Sequence, residues 1–437
     1  MGYRVSTANP KRVLMVAYHF PPCRGSSGSQ RTLNFARHLP KHGWNAVILS
    51  ANPRAYQEVS TDQLKDIPAD VPVCRAFALD AGRHLAIRGR YASWTALPDR
   101  WVSWIPGGVP AGLYMIRKYK PQVLWTTYPT ASALWIGYLL HRLTGVPLIT
   151  DLRDPMTEED SRTGVLYPAD KKLWRARRAI ERRAVLHSAR TILVTPGSRA
   201  LHAARYAELP ENHWAIIPNG YDEEAFAQVE SQVSARPLNG RPLQLLHSGL
   251  LYPTADRDPS AFFAALADLQ RAGAFNTHRV IVTLRASGFV QHYQDMIRNH
   301  GLAEMVRLEP PIPYREALQE MLEADGLLVF QGYTSNPAIP AKLYEYLRAR
   351  RPIFAMVDSG GDTAGTLRSV GAGTIAPLES KEQISKGLLD FLAQIRHGIA
   401  PLGDPVAVRS FARESHASVL ASLLDEVSSI RSGGALR

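Results

Sequence analysis

The 437-residue chain has little of several things that define common protein classes. Two cysteines, Cys23 and Cys74, are too few for a disulfide framework or a zinc site. The longest apolar run covers residues 131–140 and ends at His141 and Arg142, well short of the ~20 residues that span a bilayer. No apolar core of a secretion signal stands near the N-terminus. We therefore expect a cytoplasmic protein that does not cross a membrane.

The chain also lacks the short motifs of several enzyme classes. H-E-x-x-H, C-x-x-C and the nucleophile-elbow G-x-S-x-G between strand and helix are absent. So are the Walker sequence G-x-x-x-x-G-K-[ST] and the dinucleotide-binding G-x-G-x-x-G. Metal-dependent hydrolysis and serine-nucleophile chemistry are accordingly disfavoured.

Acidic side chains are absent from the first fifty residues, and the charge is unevenly distributed. Residues 1–220 hold 30 Lys+Arg and 15 Asp+Glu, whereas residues 221–437 hold 21 and 24. A basic half joined to a nearly neutral half indicates two domains with different partners. The basic half is expected to face an anionic partner.

Short β-branched runs alternate with amphipathic helical stretches along most of the chain. The predicted strands are 13–18, 46–50, 123–127, 147–150, 191–195, 215–218, 243–247, 280–284, 326–330 and 353–357. This alternation is typical of right-handed βαβ units with helices on both faces of a parallel sheet. We predict an α/β fold of two doubly wound domains, 1–222 and 242–404, joined by an irregular linker at 223–241. A ligand site is expected in a cleft at the carboxyl ends of the strands.

The loop after the first strand carries Gly25, Ser27 and Gly28 ahead of a helical pattern, and Arg31 adds charge. Such a loop lets backbone N–H groups approach a phosphate. The sequence therefore predicts an anion-binding loop, with a tight turn bearing incidental serines as the alternative.

Two carboxylates, Asp151 and Asp154, follow another predicted strand with Arg153 between them. A catalytic base or a hydroxyl-orienting acid is placed at such a strand end in α/β enzymes. An Arg–Asp pair that only holds the loop together is the alternative. The neighbouring strand ends at Thr127, whose hydroxyl suits a polyhydroxylated substrate.

In the second half, Gly249 closes a strand and Arg257 follows eight residues later. The glycine permits close backbone approach, and the arginine can pair with a diphosphate. Lys342 and Glu345 share one face of a helix predicted to begin near Pro340. A cation in the first turn opposes the helix dipole, which a bound anion would relieve. A solvated salt bridge is the alternative.

A basic helical stretch contains Lys171, Lys172, Trp174, Arg175 and Arg178. Basic residues with an interfacial aromatic suit an anionic membrane surface. The same features could bind nucleic acid, and a solvated helix packed through its tryptophan is the third possibility.

Taken in order, these segments resemble the retaining glycosyltransferase family 4, which has the two-domain GT-B fold and uses nucleotide-sugar donors. The resemblance is closest to bacterial members that build surface polysaccharide or lipid-linked oligosaccharide. The segments that carry it are Pro21-Pro22 with 25–28, 151–154, Thr195-Pro196, 217–222, Ser248-Gly249 with 257–259, and 340–345 with 351–353.

The resemblance implies that two cations bind the donor diphosphate and that an acid binds the donor ribose. The implied donor residues are Gly249, Arg257, Lys342, Leu343 and Glu345. Glu345 matches the second acid of the family's E-x7-E pattern, whereas Pro337 stands where the first acid is expected. The identity of the donor sugar is therefore open.

By the same resemblance, the implied acceptor residues are Gly25, Ser27, Gly28, Arg31, Thr127, Asp151 and Arg153. Catalytic roles are implied for Asp151, Asp154, Arg257 and Lys342. Residues 405–437 would form a C-terminal helix that returns to the first domain. No metal and no cofactor are expected, because fixed cations can neutralise the leaving diphosphate.

The expected function is a hexosyltransferase that moves a sugar from a nucleotide donor to a lipid-linked or polysaccharide acceptor at an anionic membrane surface. We expect it to sit on the inner face of the plasma membrane and to bind no nucleic acid. The alternatives are a GT-B nucleotide-sugar epimerase and a catalytically silent basic scaffold that binds membranes or nucleic acid.

Overall fold

The structure, a computed structural model, describes residues 11–24, 27–61, 63–159, 164–233, 237–254, 256–276 and 278–433. These residues form two compact units. Unit 1 contains the described residues up to Val194, Ser198–Pro218 and the segment from Arg413 onward. Unit 2 contains Thr195–Gly197 and Asn219–Ala412.

Parallel strands form the centre of each unit, and the short strands β6 and β7 form a separate antiparallel pair. The strands are β1 (Lys11–Val16), β2 (Trp44–Ala51), β3 (Val73–Ala76), β4 (Val123–Tyr128), β5 (Leu148–Leu152), β6 (Glu158–Glu159), β7 (Leu166–Tyr167), β8 (Arg190–Leu193), β9 (Trp214–Ile216), β10 (Leu243–Ser248), β11 (Val280–Arg285), β12 (Val306–Glu309), β13 (Gly326–Gln331), β14 (Ile353–Val357) and β15 (Thr374–Ala376).

Helices connect successive strands. The α-helices are α1 (Ser27–His38), α2 (Ala81–His84), α3 (Trp104–Tyr119), α4 (Ala131–Thr144), α5 (Lys171–Leu186), α6 (Pro196–Arg205), α7 (Glu223–Glu230), α8 (Ser260–Arg271), α9 (Val290–Asn299), α10 (Tyr314–Glu323), α11 (Ala341–Ala349), α12 (Asp362–Ser369), α13 (Lys381–His397), α14 (Pro405–Arg409) and α15 (Arg413–Gly433).

The sheet of unit 1 has the order β3-β2-β1-β4-β5-β8-β9, and its paired strands run parallel. Both faces are buried. Val13 and Met15 of β1 join the core that α1 and α15 cover, whereas Leu14 and Val16 join the core under α3 and α4. Burial on both faces explains why these strands read as continuous apolar runs.

The sheet of unit 2 has the order β12-β11-β10-β13-β14-β15, again with parallel pairing. The order reverses between β10 and β13, the first and fourth strands of the sheet. Ligands of doubly wound sheets bind beside the carboxyl ends of the strands at such a reversal. The residues that follow β10 and β13 therefore occupy the favoured position for a ligand.

The prediction of an α/β protein with two doubly wound parallel sheets is confirmed. The sequence analysis missed β3, β12 and β15, which are edge strands of three or four residues and only partly buried, so they lack a long apolar run.

The predicted irregular linker was wrong in its first part, because α7 begins at Glu223. The Asp222 side chain caps this helix by accepting a hydrogen bond from the Ala225 N–H at 3.0 Å. Phe226 and Val229 anchor the helix in the core of unit 2.

Helix α15 packs on the first sheet within unit 1. Its Ala417, Leu420 and Leu424 are fully buried or nearly so. Asp425 accepts hydrogen bonds from Lys11 Nζ at 2.6 Å and Trp44 Nε1 at 3.0 Å. The helix begins at Arg413, because α14 ends at Arg409 instead of continuing into it as the sequence analysis expected.

We expect Gly107→Ala to destabilise the protein by about 1–3 kcal/mol, because overpacking a tight contact forces the backbone to shift. A Cβ at Gly107 of α3 would lie 2.5 Å from the main-chain oxygen of Phe77, which follows β3. The midpoint of thermal unfolding should fall by several degrees.

Gly365→Ala is the matched control, since a Cβ at Gly365 in α12 would meet no atom within 4 Å. Alanine is the better helix former by about 1 kcal/mol, so this variant should be at least as stable as the parent. Equal midpoints for the two variants would contradict the tight contact at Gly107.

Candidate functional site

The strand reversal in unit 2 places His247, Ser248 and Gly249 at the carboxyl end of β10. His247 is buried, and its Nδ1–H donates to the Leu328 carbonyl at 2.9 Å. The Ser248 N–H donates to Tyr346 Oη of α11 at 2.8 Å. Gly249 has φ +149°, a left-handed region that favours glycine. These bonds fix the end of the strand against its neighbours.

Arg257 lies in the loop between β10 and α8. Its guanidinium stacks over the Tyr252 ring at 5.3 Å and reaches the Leu250 carbonyl at 3.4 Å. Its Nε lies 3.4 Å from Asp256 Oδ2. Asp256 also accepts hydrogen bonds from the Gly332 N–H and the Ser335 hydroxyl. The loop that carries Arg257 is therefore bonded to the loop that follows β13.

Lys342 stands in the first turn of α11, where the preceding Pro340 supplies no side-chain cap. Its Nζ lies 3.0 Å from Glu345 Oε2, and Tyr314 Oη donates to Glu345 Oε1 at 3.1 Å. The i,i+3 salt bridge that the sequence offered as the alternative is present, with Lys342 partly exposed and Glu345 buried. The anion-binding role of Lys342 stays a prediction.

Both cations act on the same imidazole. The pKa of His247 is lowered to about 4, first by burial and then by the positive charges of Arg257 and Lys342. Hydrogen bonds bring both segments to this edge of the sheet, because Asp256 bonds to the loop after β13 and Tyr346 of α11 bonds to Ser248. Arg257 and Lys342 are 85 residues apart in sequence. His247 was assigned no role from the sequence, although its position directly before Ser248 and Gly249 was the available signal.

A mainly apolar cavity of about 530 Å³ opens beside Gly249. Its lining residues come from the carboxyl ends of β10, β11 and β12: Gly249, Leu250, Ala286, Ser287, Gly288, Val290, Leu308, Glu309, Pro310 and Pro311. Leu250 belongs to this lining and also contacts Arg257 through its carbonyl. The cavity and the cations thus share one edge of the sheet.

Leu343 does not fit the predicted donor role. Its side chain is fully buried in the core of unit 2, and its N–H donates to the Pro340 carbonyl at 2.9 Å. The helical turn directs this position inward, one residue after the half-exposed Lys342.

In unit 1, Arg31 and Asp151 form a buried, bidentate ion pair. Arg31 Nε and Nη2 donate to the two Asp151 oxygens at 2.8 and 3.2 Å. The same guanidinium donates to the Ile217 and Pro218 carbonyls at 2.9 and 3.0 Å. Asp151 is fully buried within β5. The arrangement ties α1, β5 and the end of β9 together, which supports the alternative of a structural pair and not a catalytic base.

Arg153 and Asp154 follow β5. Arg153 is buried, and burial lowers its pKa while the Asp154 carboxylate, 3.6 Å away, opposes that shift. The Asp154 side chain remains 56% exposed. Arg153 also acts on His19 at the end of β1, whose pKa burial and this charge lower to about 4. A positive charge therefore lies at the carboxyl end of the sheet of unit 1.

Other predicted acceptor residues are less accessible or undescribed. Thr127 is buried, and its hydroxyl donates to the Tyr128 carbonyl at 3.1 Å. Gly28 lies in the first turn of α1, which begins at Ser27. Gly25 and the Ser27 side chain lie outside the described residues.

The predicted membrane residues are on α5. Lys171, Lys172 and Arg175 are exposed, whereas Trp174 and Arg178 are partly buried. Trp174 Nε1 donates to the Glu158 carbonyl at 3.1 Å, and Arg178 pairs with the buried Glu181 at 3.2 Å. Trp174 therefore packs on the protein and is not an exposed membrane anchor.

Over the described ranges, no three His, Cys, Asp or Glu side chains are arranged to hold a metal ion. Among the helices in the same part of the chain, none combines the length and the apolar character needed to span a membrane.

Sequence comparison identifies the family of the first half of the chain. Residues 28–220 match the Glycosyl transferase 4-like domain. No curated protein matches the chain by sequence. Residues 28–220 are thus similar to this domain, which makes up somewhat less than half of the chain.

Structural comparison extends over both units. Sucrose-phosphate synthase from Thermosynechococcus elongatus matches with a TM-score of 0.67 and 13% identity, covering 96% of this chain and 100% of that chain. Anabaena HepE in complex with UDP-glucose matches with a TM-score of 0.61 and 14% identity, covering 95% and 99%. The prediction of the GT-B fold is confirmed by these structures, and the domain match of residues 28–220 bears out the prediction of a glycosyltransferase.

A third similar structure comes from another enzyme class. The putative UDP-N-acetylglucosamine 2-epimerase from Listeria monocytogenes matches with a TM-score of 0.56 and 11% identity, covering 95% of this chain and 96% of that chain. At such identities structural similarity shows the fold and not the reaction.

Asp151→Ala should lower the free energy of unfolding by about 3–5 kcal/mol, because it leaves the Arg31 guanidinium buried without its carboxylate. Urea unfolding followed by circular dichroism measures this loss. Asp154→Ala is the control, and a change within about 0.5 kcal/mol is expected for its exposed side chain. An Asp151→Ala variant with unchanged stability and no activity would instead make Asp151 a catalytic base.

His247 should titrate with a midpoint near pH 4 in an NMR pH titration, its resonance assigned by comparison with His247→Asn. Its pKa when unfolded is about 6.5, so below that pH the unfolded chain binds the proton more readily. As the pH falls from 6.5 to 4, His247 should therefore reduce the free energy of unfolding by about 1.4 kcal/mol per pH unit. His247→Asn should remove that part of the acid sensitivity. A midpoint near 6.5 would contradict the burial of the imidazole beside two cations.

Proposed function

We propose that this glycosyltransferase transfers a hexose-type sugar, with retention of configuration, from a nucleoside diphosphate sugar to a lipid-linked or polysaccharide acceptor. The observation that carries the proposal is that Arg257 and Lys342 belong to two segments joined by hydrogen bonds at the strand reversal of unit 2. Asp256, next to Arg257, bonds to the loop after β13, and Tyr346, one turn after Lys342, bonds to Ser248 at the end of β10. The proposed donor site consists of these two cations, Gly249 and Glu345.

The charges and shape of the site suit a nucleoside diphosphate. Arg257 and Lys342 each retain an exposed part, and each lies near one acid, Asp256 or Glu345. A diphosphate can replace these acids as the partner of both cations. The apolar cavity beside Gly249 lies next to Arg257 and is large enough for a nucleoside. Glu345 remains the proposed ligand of the ribose.

The proposed chemistry needs positive charge where the diphosphate leaves. Breaking the bond between the anomeric carbon and the phosphate oxygen puts negative charge on the diphosphate, which fixed cations stabilise. The acceptor hydroxyl then bonds to the anomeric carbon on the same face, and its proton passes to the leaving phosphate oxygen. The pairing of Asp151 with Arg31 supports this proton route, because that carboxylate is already engaged. Asp154 stays a candidate for orienting the acceptor hydroxyl.

The acceptor is proposed to bind unit 1, where Arg153 and the first turn of α1 supply positive character. Since a lipid-linked acceptor lies in a membrane, the protein is proposed to act at the cytoplasmic face of that membrane. No nucleic-acid partner is proposed. The exposed Lys171, Lys172 and Arg175 support attraction to anionic lipid.

A nucleotide-sugar epimerase is the second candidate, since an epimerase shares the fold. The match of residues 28–220 to the Glycosyl transferase 4-like domain favours transfer. Incubation with UDP-N-acetylglucosamine and no acceptor distinguishes the two, because an epimerase would release the 2-epimer as a product.

Arg257→Ala and Lys342→Ala should each weaken the binding of UDP or GDP at least tenfold in isothermal titration calorimetry, because each removes a charge-assisted contact worth about 1.5–3 kcal/mol. The more tightly bound of the two nucleotides in the parent protein is used for comparison.

Arg271→Ala is the matched control, because its exposed guanidinium belongs to the same unit but lies at the far end of α8. Unchanged affinity is expected for this variant. If Arg257→Ala and Lys342→Ala also bind the nucleotide as tightly as the parent, the proposed donor site is refuted.

A further inference from the structure

Residues 83–94 form an exposed surface segment in unit 1, called here the 83–94 loop. Every residue in it is exposed except Ala86, which is half-buried. Two large apolar side chains protrude most, Ile87 at 79% exposure and Trp94 at 73%, and Leu85 and Tyr91 are also exposed. Apolar residues grouped so closely on a surface are typical of a contact site.

The base of this loop is firmly held. Asp80 is fully buried, and its Oδ1 accepts hydrogen bonds from Arg100 Nη2 at 2.7 Å and from the Gly82 N–H at 2.9 Å. The Ala81 N–H donates to the Arg100 carbonyl at 2.8 Å, which closes the loop on its backbone.

The tip is a two-residue hairpin turn. Ile87 and Arg90 exchange backbone hydrogen bonds of 2.8 and 3.0 Å, and the central Arg88 and Gly89 have φ values of +51° and +76°. Positive φ at both central positions is typical of the type I′ turn that joins two antiparallel strands. The turn presents Ile87 and the arginines at one tip.

The charge of the loop has one sign. Arg83, Arg88 and Arg90 lie within it, and no acidic residue occurs between Asp80 and Asp99. Both of these acids are buried. The basic helix α5 reaches the base of the loop, where Arg177 Nε donates to the Pro98 carbonyl at 3.2 Å. Exposed apolar side chains therefore stand in a region of positive charge.

We infer that the 83–94 loop inserts into the headgroup region of an anionic phospholipid membrane. Aliphatic and indole side chains beside arginines suit this region, because the rings and the aliphatic chain enter the apolar boundary while the guanidinium groups bind phosphates. Proteins that bind single-stranded nucleic acid stack aromatic side chains on the bases. The tip of this loop carries the aliphatic Ile87 instead, which favours lipid as the partner. The inference goes beyond the proposed sugar transfer and replaces Trp174 with Trp94 and Ile87 as the apolar contact.

Co-sedimentation of the full chain with vesicles tests the inference, comparing pure phosphatidylcholine with phosphatidylcholine containing 30% phosphatidylglycerol. We expect binding only to the anionic vesicles. Ile87→Ser/Trp94→Ser should reduce it at least tenfold. Arg88→Asn/Arg90→Gln should reduce it about 25-fold, at about fivefold for each charge.

Matched pairs of exposed residues in unit 2 are the controls. Ile399→Ser/Val406→Ser removes two comparably exposed apolar side chains, and Arg271→Gln/Arg298→Gln removes two exposed charges. Both control variants should bind vesicles like the parent. Nucleotide affinity should be unchanged in all four variants, so failure of the loop and failure of the donor site are separable.

Depth-dependent quenching gives a second readout. Brominated phosphatidylglycerol should quench part of the tryptophan fluorescence of the parent, and Trp94→Phe should remove most of that quenching while vesicle binding persists.

Three results would overturn the inference. The first is a parent protein that ignores anionic vesicles. The second is vesicle binding that survives both loop variants but is lost in Lys171→Gln/Lys172→Gln/Arg175→Gln, which would assign the contact to α5. The third is a pair of loop variants that still bind vesicles but no longer bind a single-stranded RNA oligonucleotide.

Discussion

Hydrogen bonds at the end of one buried strand are the constraint on which the candidate site of unit 2 depends, because Ser248 bonds to Tyr346 of α11 and Asp256 bonds to the loop after β13. Burial first, and then the positive charges of Arg257 and Lys342, lower the pKa of His247, so its imidazole stays neutral. Each cation lies near one acid, Asp256 or Glu345. The positive charge of each cation is therefore partly neutralised when no ligand is bound, and both cations can still bind a strongly charged anion. The proposed diphosphate leaving group requires such a site.

Arg31 and Arg257 differ in how many of their N–H donors are used in hydrogen bonds. Arg31 is buried and directs its guanidinium to Asp151 and to two main-chain carbonyls. It therefore holds three elements of unit 1 together and has little capacity for a substrate. Arg257 is partly exposed, stacks on a tyrosine and makes one long contact to a carbonyl. The number of guanidinium N–H donors already used in hydrogen bonds, more than burial alone, distinguishes a structural arginine from one that can bind a ligand.

Exposure of aromatic residues follows packing and not local charge. Trp174 lies among basic residues on α5, yet it is partly buried and bonded to the Glu158 carbonyl. Trp94 shares its loop with three arginines and is 73% exposed, whereas the base of the loop is held by the pair of Asp80 and Arg100. A tryptophan in a basic stretch is therefore a weak indicator of a surface until its contacts are known.

The sequence by itself determined the two parallel sheets, because strands buried on both faces must be nearly continuous apolar runs. It also determined that Gly249 and Asp151 lie at strand ends, and that Lys342 and Glu345 share a helix face. Only the tertiary structure decided that Asp151 pairs with Arg31, that Leu343 points into the core, and that Ser248 bonds to Tyr346 of the helix that carries Lys342. The edge strands and the exposure of the 83–94 loop were also identified only from the tertiary structure. The physical reason is that pairing and burial depend on distances through space, and residues 85 or 120 positions apart meet only after the chain has folded.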